Sequence, residues 1–154
     1  MITFADLLQP EHIELHPKAR TRDTAIQEIT ALLNGSVHVL DEEELFQKVK
    51  QSAPCIMEPE ADFCICIPHA RTAAVTAMVM SIGRFDRGLI IPGVAKPVRY
   101  ILCIAVPPEM ATDYLRIIGL LARLAKDPHS EPQNYTAETA AEFLETMVRL
   151  EAKL

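Results

Sequence analysis

Three apolar runs, Phe63–Ile67, Thr76–Phe85 and Val98–Val106, dominate the middle of this chain and limit what it can become. Their β-branched content, together with the turn residues Pro68, Gly88, Pro92-Gly93 and Pro97, favours strands over helices. Around them the periodicity changes to that of helices. From Asp23 to Asn34, residues Ala25, Ile26, Ile29, Leu32 and Leu33 form one stripe, and Gly35 supplies a C-terminal stop. Asp41 with Glu44 three places on marks the start of a second helix, whose inner face carries Leu45, Phe46 and Val49. Tyr114 to Lys126 makes a third through Ile117, Ile118, Leu121, Leu124 and Ala125, a stripe that suits core packing. A last helix is expected from near Thr136, with Phe143, Leu144, Met147 and Leu150 inward. Ahead of all these, His12–His16 alternates polar and apolar residues as a short strand does. Helices before, between and after strands predict an α/β fold, a mixed β-sheet with helices on both faces. With 154 residues and no linker or repeat, residues 1–154 are expected to form a single domain.

Composition narrows the function. A formal charge of −6 argues against a reader of nucleic-acid backbones, which carry clustered basic surface. No signal peptide is visible, and the longest apolar stretch, Tyr100–Pro108, is about half a membrane span. Cys55, Cys64, Cys66 and Cys103 sit in apolar surroundings, which predicts reduced thiols and a cytoplasmic protein. Cys64-x-Cys66-x-x-His69 superficially resembles half a metal site. Zinc ligands are usually spaced more widely in a turn, so packing thiols and no metal are expected.

The stretch Phe63-Cys64-Ile65-Cys66-Ile67-Pro68-His69-Ala70-Arg71 carries the chemistry. Pro68 removes a backbone donor and is expected to end ladder pairing, so His69 emerges at the end of a strand. Imidazole is nucleophilic near neutral pH and suits reversible phosphoryl transfer. Arg71 offers a forked donor to phosphate oxygens. The turn Arg84-Phe85-Asp86-Arg87-Gly88 reads as solvated, or as a docking surface for a partner. His12, His16, His38 and His129 stand in polar segments and are expected at the surface.

Ile65-x-Ile67-Pro68-His69-Ala70-Arg71 resembles the active-site signature of phosphotransferase-system (PTS) IIA domains of the mannitol/fructose/nitrogen-regulatory type. The helix at Asp23–Ile26, the acidic helix start at Asp41–Glu44, and the strand ending Ala105-Val106-Pro107 before a leucine-rich helix follow the same order. The likeness spans nearly the whole chain, from about Thr3. It implies a PTS IIA fold in which His69 accepts a phosphoryl group from a histidine phosphocarrier protein. His69 then passes it to a IIB domain, or keeps it as a regulatory mark acting on a transporter or other target. Such domains need no metal or nucleotide of their own.

The chain departs from that pattern in two places. An Arg-Glu pair usual about fifteen residues ahead of the histidine is absent; Ala53–Asp62 stands there, with Glu58, Glu60 and Asp62 expected on the approach to the site. Tyr114 occupies the place of a second histidine, supplying a hydroxyl but no positive charge near neutral pH. Lys50, Arg71 and Arg84 are the cations available to compensate. The alternative implied by these departures is a decayed IIA-like domain that acts by binding a partner protein.

Overall fold

The computed structural model describes residues 2–59, 62–127 and 136–154. In chain order the elements are α1 (Phe4–Leu7), β1 (Ile13–Glu14), α2 (Arg22–Ala31), α3 (Glu42–Gln51), β2 (Cys55–Met57), β3 (Cys64–Ile67), β4 (His69–Arg71), β5 (Val79–Leu89), β6 (Val98–Val106), α4 (Ala111–Lys126) and α5 (Ala140–Glu151). The strands form one mixed sheet in the order β1-β5-β6-β3-β2, with β4 also beside β6. β5 and β6 run antiparallel, whereas β3 and β4 run parallel to β6.

Strand β6 shows why the sheet must be covered twice. Tyr100, Leu102, Ile104 and Val106 point into a core closed by Phe4 of α1, Ile117, Leu121 and Leu124 of α4, and Phe143 and Met147 of α5. The alternate residues Ile101, Cys103 and Ala105 point into a second core closed by Ala25, Ile26 and Ile29 of α2 and Leu45 and Val49 of α3. A strand apolar on both alternating sets is stable only when both faces are dry. Helices therefore cover both faces, as the periodicity predicted.

Beneath α2 the sheet presents the small residues Ser81, Gly83 and Cys103, and so α2 lies close to it. A Cβ at Gly83 would stand 2.3 Å from Ile29 Cδ1. The Ser81 hydroxyl donates to the Ile29 carbonyl at 2.7 Å, tying the helix backbone to β5. Burial pushes the Cys66 and Cys103 thiols up to about 11 each, so both stay protonated and act as packing groups. All four cysteines are free; Cys55 is half-buried and the other three are buried.

Helix starts follow their sequence signals. Asp41 Oδ1 accepts the Glu44 backbone N–H at 3.0 Å, and Thr21 caps α2. Gly35 adopts φ +86°, the left-handed conformation that glycine reaches without strain. Several boundaries differ from expectation. The strand expected over His12–His16 pairs only at Ile13 and Glu14. β5 begins at Val79 rather than Thr76, because Thr72–Met78 form a turn in which the Thr72 hydroxyl accepts the Ala74 N–H. α4 starts one turn early, at Ala111, and α5 starts at Ala140 behind the cap Thr139 rather than near Thr136. Strand β2 was not anticipated: Cys55–Met57 is a three-residue run between Pro54 and Pro59, too short for a period to show.

The solvated turn expected at Arg84–Gly88 lies within β5 instead. Arg84 is 3% exposed; its Nε donates to Asp86 at 2.7 Å and its Nη1 to the Ala137 carbonyl at 2.8 Å. The β5–β6 register shifts between Arg84 and Leu89, carrying the strand past the predicted end.

His12 also departs from expectation. It is half-buried and its Nδ1 is enclosed with no hydrogen-bond partner among the described residues, whereas His16 and His38 are exposed and His129 lies outside the described residues. Burial lowers the His12 pKa from 6.5, against a smaller opposing pull from Glu11. Below about 6.5 the unfolded chain binds a proton at this position more readily than the folded one. Stability is therefore expected to fall as pH drops through that value toward the folded pKa. Urea midpoints of His12→Gln should show a shallower fall over the same window, and identical slopes would refute the assignment.

Candidate functional site

β3 and β4 are separated only by Pro68, and both pair with β6 in the same register: Cys66 opposite Ile101, His69 opposite Ile104. The expectation that Pro68 ends the ladder is thus corrected. Proline lacks the donor but keeps its carbonyl, and Pro68 accepts the Ile104 N–H at 3.1 Å. His69 consequently sits on the carboxyl-terminal rim of the sheet, held by strand pairing rather than carried on a loose turn. β6 ends two residues beyond, where Val106 pairs with Arg71.

Two further bonds fix the histidine. Its backbone N–H donates to the Ser52 hydroxyl at 3.3 Å, and that hydroxyl donates its own proton to the Val49 carbonyl at 2.8 Å. Ser52 follows the last turn of α3 and so clips the helix to β4. Around the ring, Nδ1 lies 3.1 Å from the Ile67 carbonyl oxygen. A carbonyl only accepts, so this contact is a hydrogen bond when the proton is on Nδ1, and in that neutral tautomer Nε2 holds the lone pair.

Arg71 projects from the same side of β4, because Ala70 between them turns into the core. Its Nε donates to the Pro108 carbonyl at 3.2 Å, which anchors the guanidinium to the turn before α4. Tyr114, in the second turn of α4, lays its ring against His69 with centroids 5.4 Å apart and planes tilted by 36°. Burial first, and then the neighbouring Cys55 thiol, raise the Tyr114 pKa above 10, so its hydroxyl remains a neutral donor. His69, Arg71 and Tyr114 line one pocket of about 360 Å³ with Ala70, Val106, Ala111 and the exposed Leu115.

The three residues singled out in the sequence are therefore brought together. Others are not. β2 runs antiparallel to β3 with Cys55 opposite Ile67 and Met57 opposite Ile65, so Glu58 and Asp62 lie toward the Cys64 end, away from His69. Glu60 lies outside the described residues. Arg84 lies midway along β5, opposite Tyr100 and four residues along β6 from Ile104, and the Lys50 ammonium stands 5.9 Å over the Phe46 ring. Cys64 and Cys66 pack into the core under α2 and α3, and among the described residues no three His, Cys, Asp or Glu side chains are placed to share an ion. Sequence reasoning missed Ser52, whose only signal was a hydroxyl just past a helix end. It also missed the Ile67 and Pro108 carbonyls, for which no side chain speaks.

Residues 6–149 match the family model of the phosphoenolpyruvate-dependent sugar phosphotransferase system, EIIA 2. The chain belongs to this family. Among solved structures, it is similar to the nitrogen regulatory protein IIA-Ntr of Neisseria meningitidis, with a TM-score of 0.77 and 19% identity over 92% of this chain and 97% of that one. It is similar also to the mannitol IIA of Escherichia coli, with a TM-score of 0.71 and 20% identity over 91% and 98%. That protein has been solved as a complex with phosphorylated IIB-Mtl as well; there the likeness covers 96% of this chain and 98% of that one at a TM-score of 0.71 and 20% identity. No curated protein sequence matches the chain significantly. At these identities the structural likeness speaks for the EIIA fold, and the family match for a phosphocarrier or regulatory role in that system. Among the described residues, no helix of this EIIA chain is long and apolar enough to cross a membrane.

Proposed function

We propose that this chain, acting as one unit over residues 1–154, is a phosphohistidine carrier that takes a phosphoryl group on Nε2 of His69. The observation that carries the proposal is the bond between Nδ1 and the Ile67 carbonyl. It leaves Nε2 as the nucleophile. In the step itself, the Nε2 lone pair forms a bond to the phosphorus of a phosphorylated histidine on a phosphocarrier protein. The donor P–N bond breaks and its electron pair returns to the donor ring. Nδ1 keeps its proton, so the product ring is cationic, and the Ile67 carbonyl dipole stabilises that charge. A phosphoryl group on a cationic ring leaves readily, which suits onward transfer to a IIB domain or use as a regulatory mark.

The protein's contribution to such transfer is positioning and charge. Ser52 and the β6 ladder hold the backbone of His69, and Tyr114 restricts its ring. The Arg71 terminal nitrogens and the neutral Tyr114 hydroxyl are the donors available to phosphoryl oxygens. Leu115, exposed beside the pocket, offers apolar surface to a docking partner. The partners belong to the cytoplasm, and the proposal places the chain there, with no nucleic acid, metal or further cofactor.

Incubation with phosphoenolpyruvate, enzyme I and a phosphocarrier, followed by intact-mass measurement, tests this reading. An acid-labile phosphoryl group is expected on the wild type. Tyr114 favours one second reading, because a neutral phenol stands where the family pattern has a histidine. In that reading the EIIA fold works by binding a partner without carrying phosphate, and absence of label with every cognate carrier would select it.

A further inference from the structure

β1 pairs with β5 only at Ile13 and Glu14, opposite Ile82 and Gly83. Beyond that point Pro17 has no N–H to continue a ladder, and the two chains part while β5 runs on to Leu89. The wedge between them is a groove of about 650 Å³, within the roughly 300–1,000 Å³ typical of small-molecule sites. Its walls carry Lys18 and Arg20 on one side and Arg84 and Arg87 on the other; Asp86 is the one carboxylate among the lining residues. The Glu28 carboxylate lies behind the loop, accepting the backbone N–H groups of Lys18 and Ala19 at 2.8–3.1 Å, and so holds that wall in place. Arg84 is likewise fixed, by Asp86 and the Ala137 carbonyl. Among the described residues, no carboxylate forms a salt bridge with Lys18, Arg20 or Arg87. Gathering four cations in one groove costs repulsion, and it does so on a chain with net charge −6.

The geometry points to a binding site for a small anion with two or more linked phosphates, seated between Lys18 and Arg20 on one wall and Arg87 on the other. One phosphate suits one wall; the linked pair matches cations held on facing walls, where guanidinium forks take phosphate oxygens bidentately. The site is separate from His69. Along β6, Arg84 is opposite Tyr100 and Leu89 opposite Val98, roughly 13 to 20 Å at ~3.3 Å per residue from Ile104, the neighbour of His69. Neither Arg84 nor Arg87 lines the His69 pocket.

Inorganic pyrophosphate is the probe, titrated into the full chain at constant ionic strength and followed by amide chemical shifts. Half-saturation below about 1 mM is expected, with the largest shifts in residues 16–20 and 84–90. Lys18→Ala and Arg87→Ala, both at exposed positions, should each weaken binding by about tenfold, while Arg71→Ala should bind as the wild type does. Half-saturation above that concentration, equal shifts with sulfate, unchanged binding in the groove variants, or loss of binding in Arg71→Ala would each overturn the proposal. None of these outcomes bears on phosphoryl uptake by His69, which the mass measurement reads separately.

Discussion

His69→Ala is expected to take up no phosphoryl group from phosphoenolpyruvate, enzyme I and a phosphocarrier under conditions that label the wild type fully. The effect should be complete because, among the described residues, no other imidazole lines the pocket; Tyr114 and Arg71 are the polar side chains beside it. The fold should survive, since the bonds that seat position 69 use its backbone and those of its neighbours. Circular dichroism on the same samples separates loss of the acceptor from loss of structure. Tyr114→Phe refines the test. It keeps the ring packed on His69 and removes only the hydroxyl, so labelling should persist but slow by roughly tenfold, the worth of one hydrogen bond made to a developing charge. Label retained in His69→Ala would show that the phosphoryl group sits elsewhere.

Phe143→Ala should be the most damaging core substitution, costing about 3–5 kcal/mol. Phe143 is 2% exposed and packs beside Tyr100, with ring centroids 6.2 Å apart. It also lines a small apolar pocket of about 60 Å³, partly open to solvent, between the sheet, α4 and α5. Truncation would enlarge a space its neighbours already fail to fill, so collapse is limited and the cost moves toward the upper end. For a chain of this length Tm should drop by roughly 10–15 °C, measured by calorimetry. A loss under ~1 kcal/mol would mean that α5 contributes little to the core. Phosphoryl uptake by the folded fraction should be unchanged, because Tyr100 lies four residues along β6 from Ile104, the neighbour of His69.

The second core and the His69 pocket show different degrees of legibility. Ile26, Ile29, Leu45 and Val49 were recognisable because helical period writes a buried face directly into residue spacing. Arg84 was misread because an arginine beside aspartate and glycine looks like a wet turn. Only the register shift of β5 and the Ala137 carbonyl, far away in sequence, reveal it as a buried anchor. His12 was misread for a related reason: its polar neighbours say nothing of the packing that encloses one nitrogen.

Pro68 and His69 mark the division most clearly. The sequence by itself determined that an apolar strand meets a histidine, because alternation, β-branching and a proline are local properties. It also determined the family, through the order of elements and the short motif. Only the tertiary structure decided that the proline leaves the ladder intact, since the outcome depends on the Ile104 N–H, contributed by a strand more than thirty residues away. It tied the His69 backbone to the Ser52 hydroxyl and brought Tyr114 and Arg71 to the same pocket. Strand and helix follow from short-range sterics and periodicity; a site is made by groups distant in sequence, and their meeting is set by register and packing.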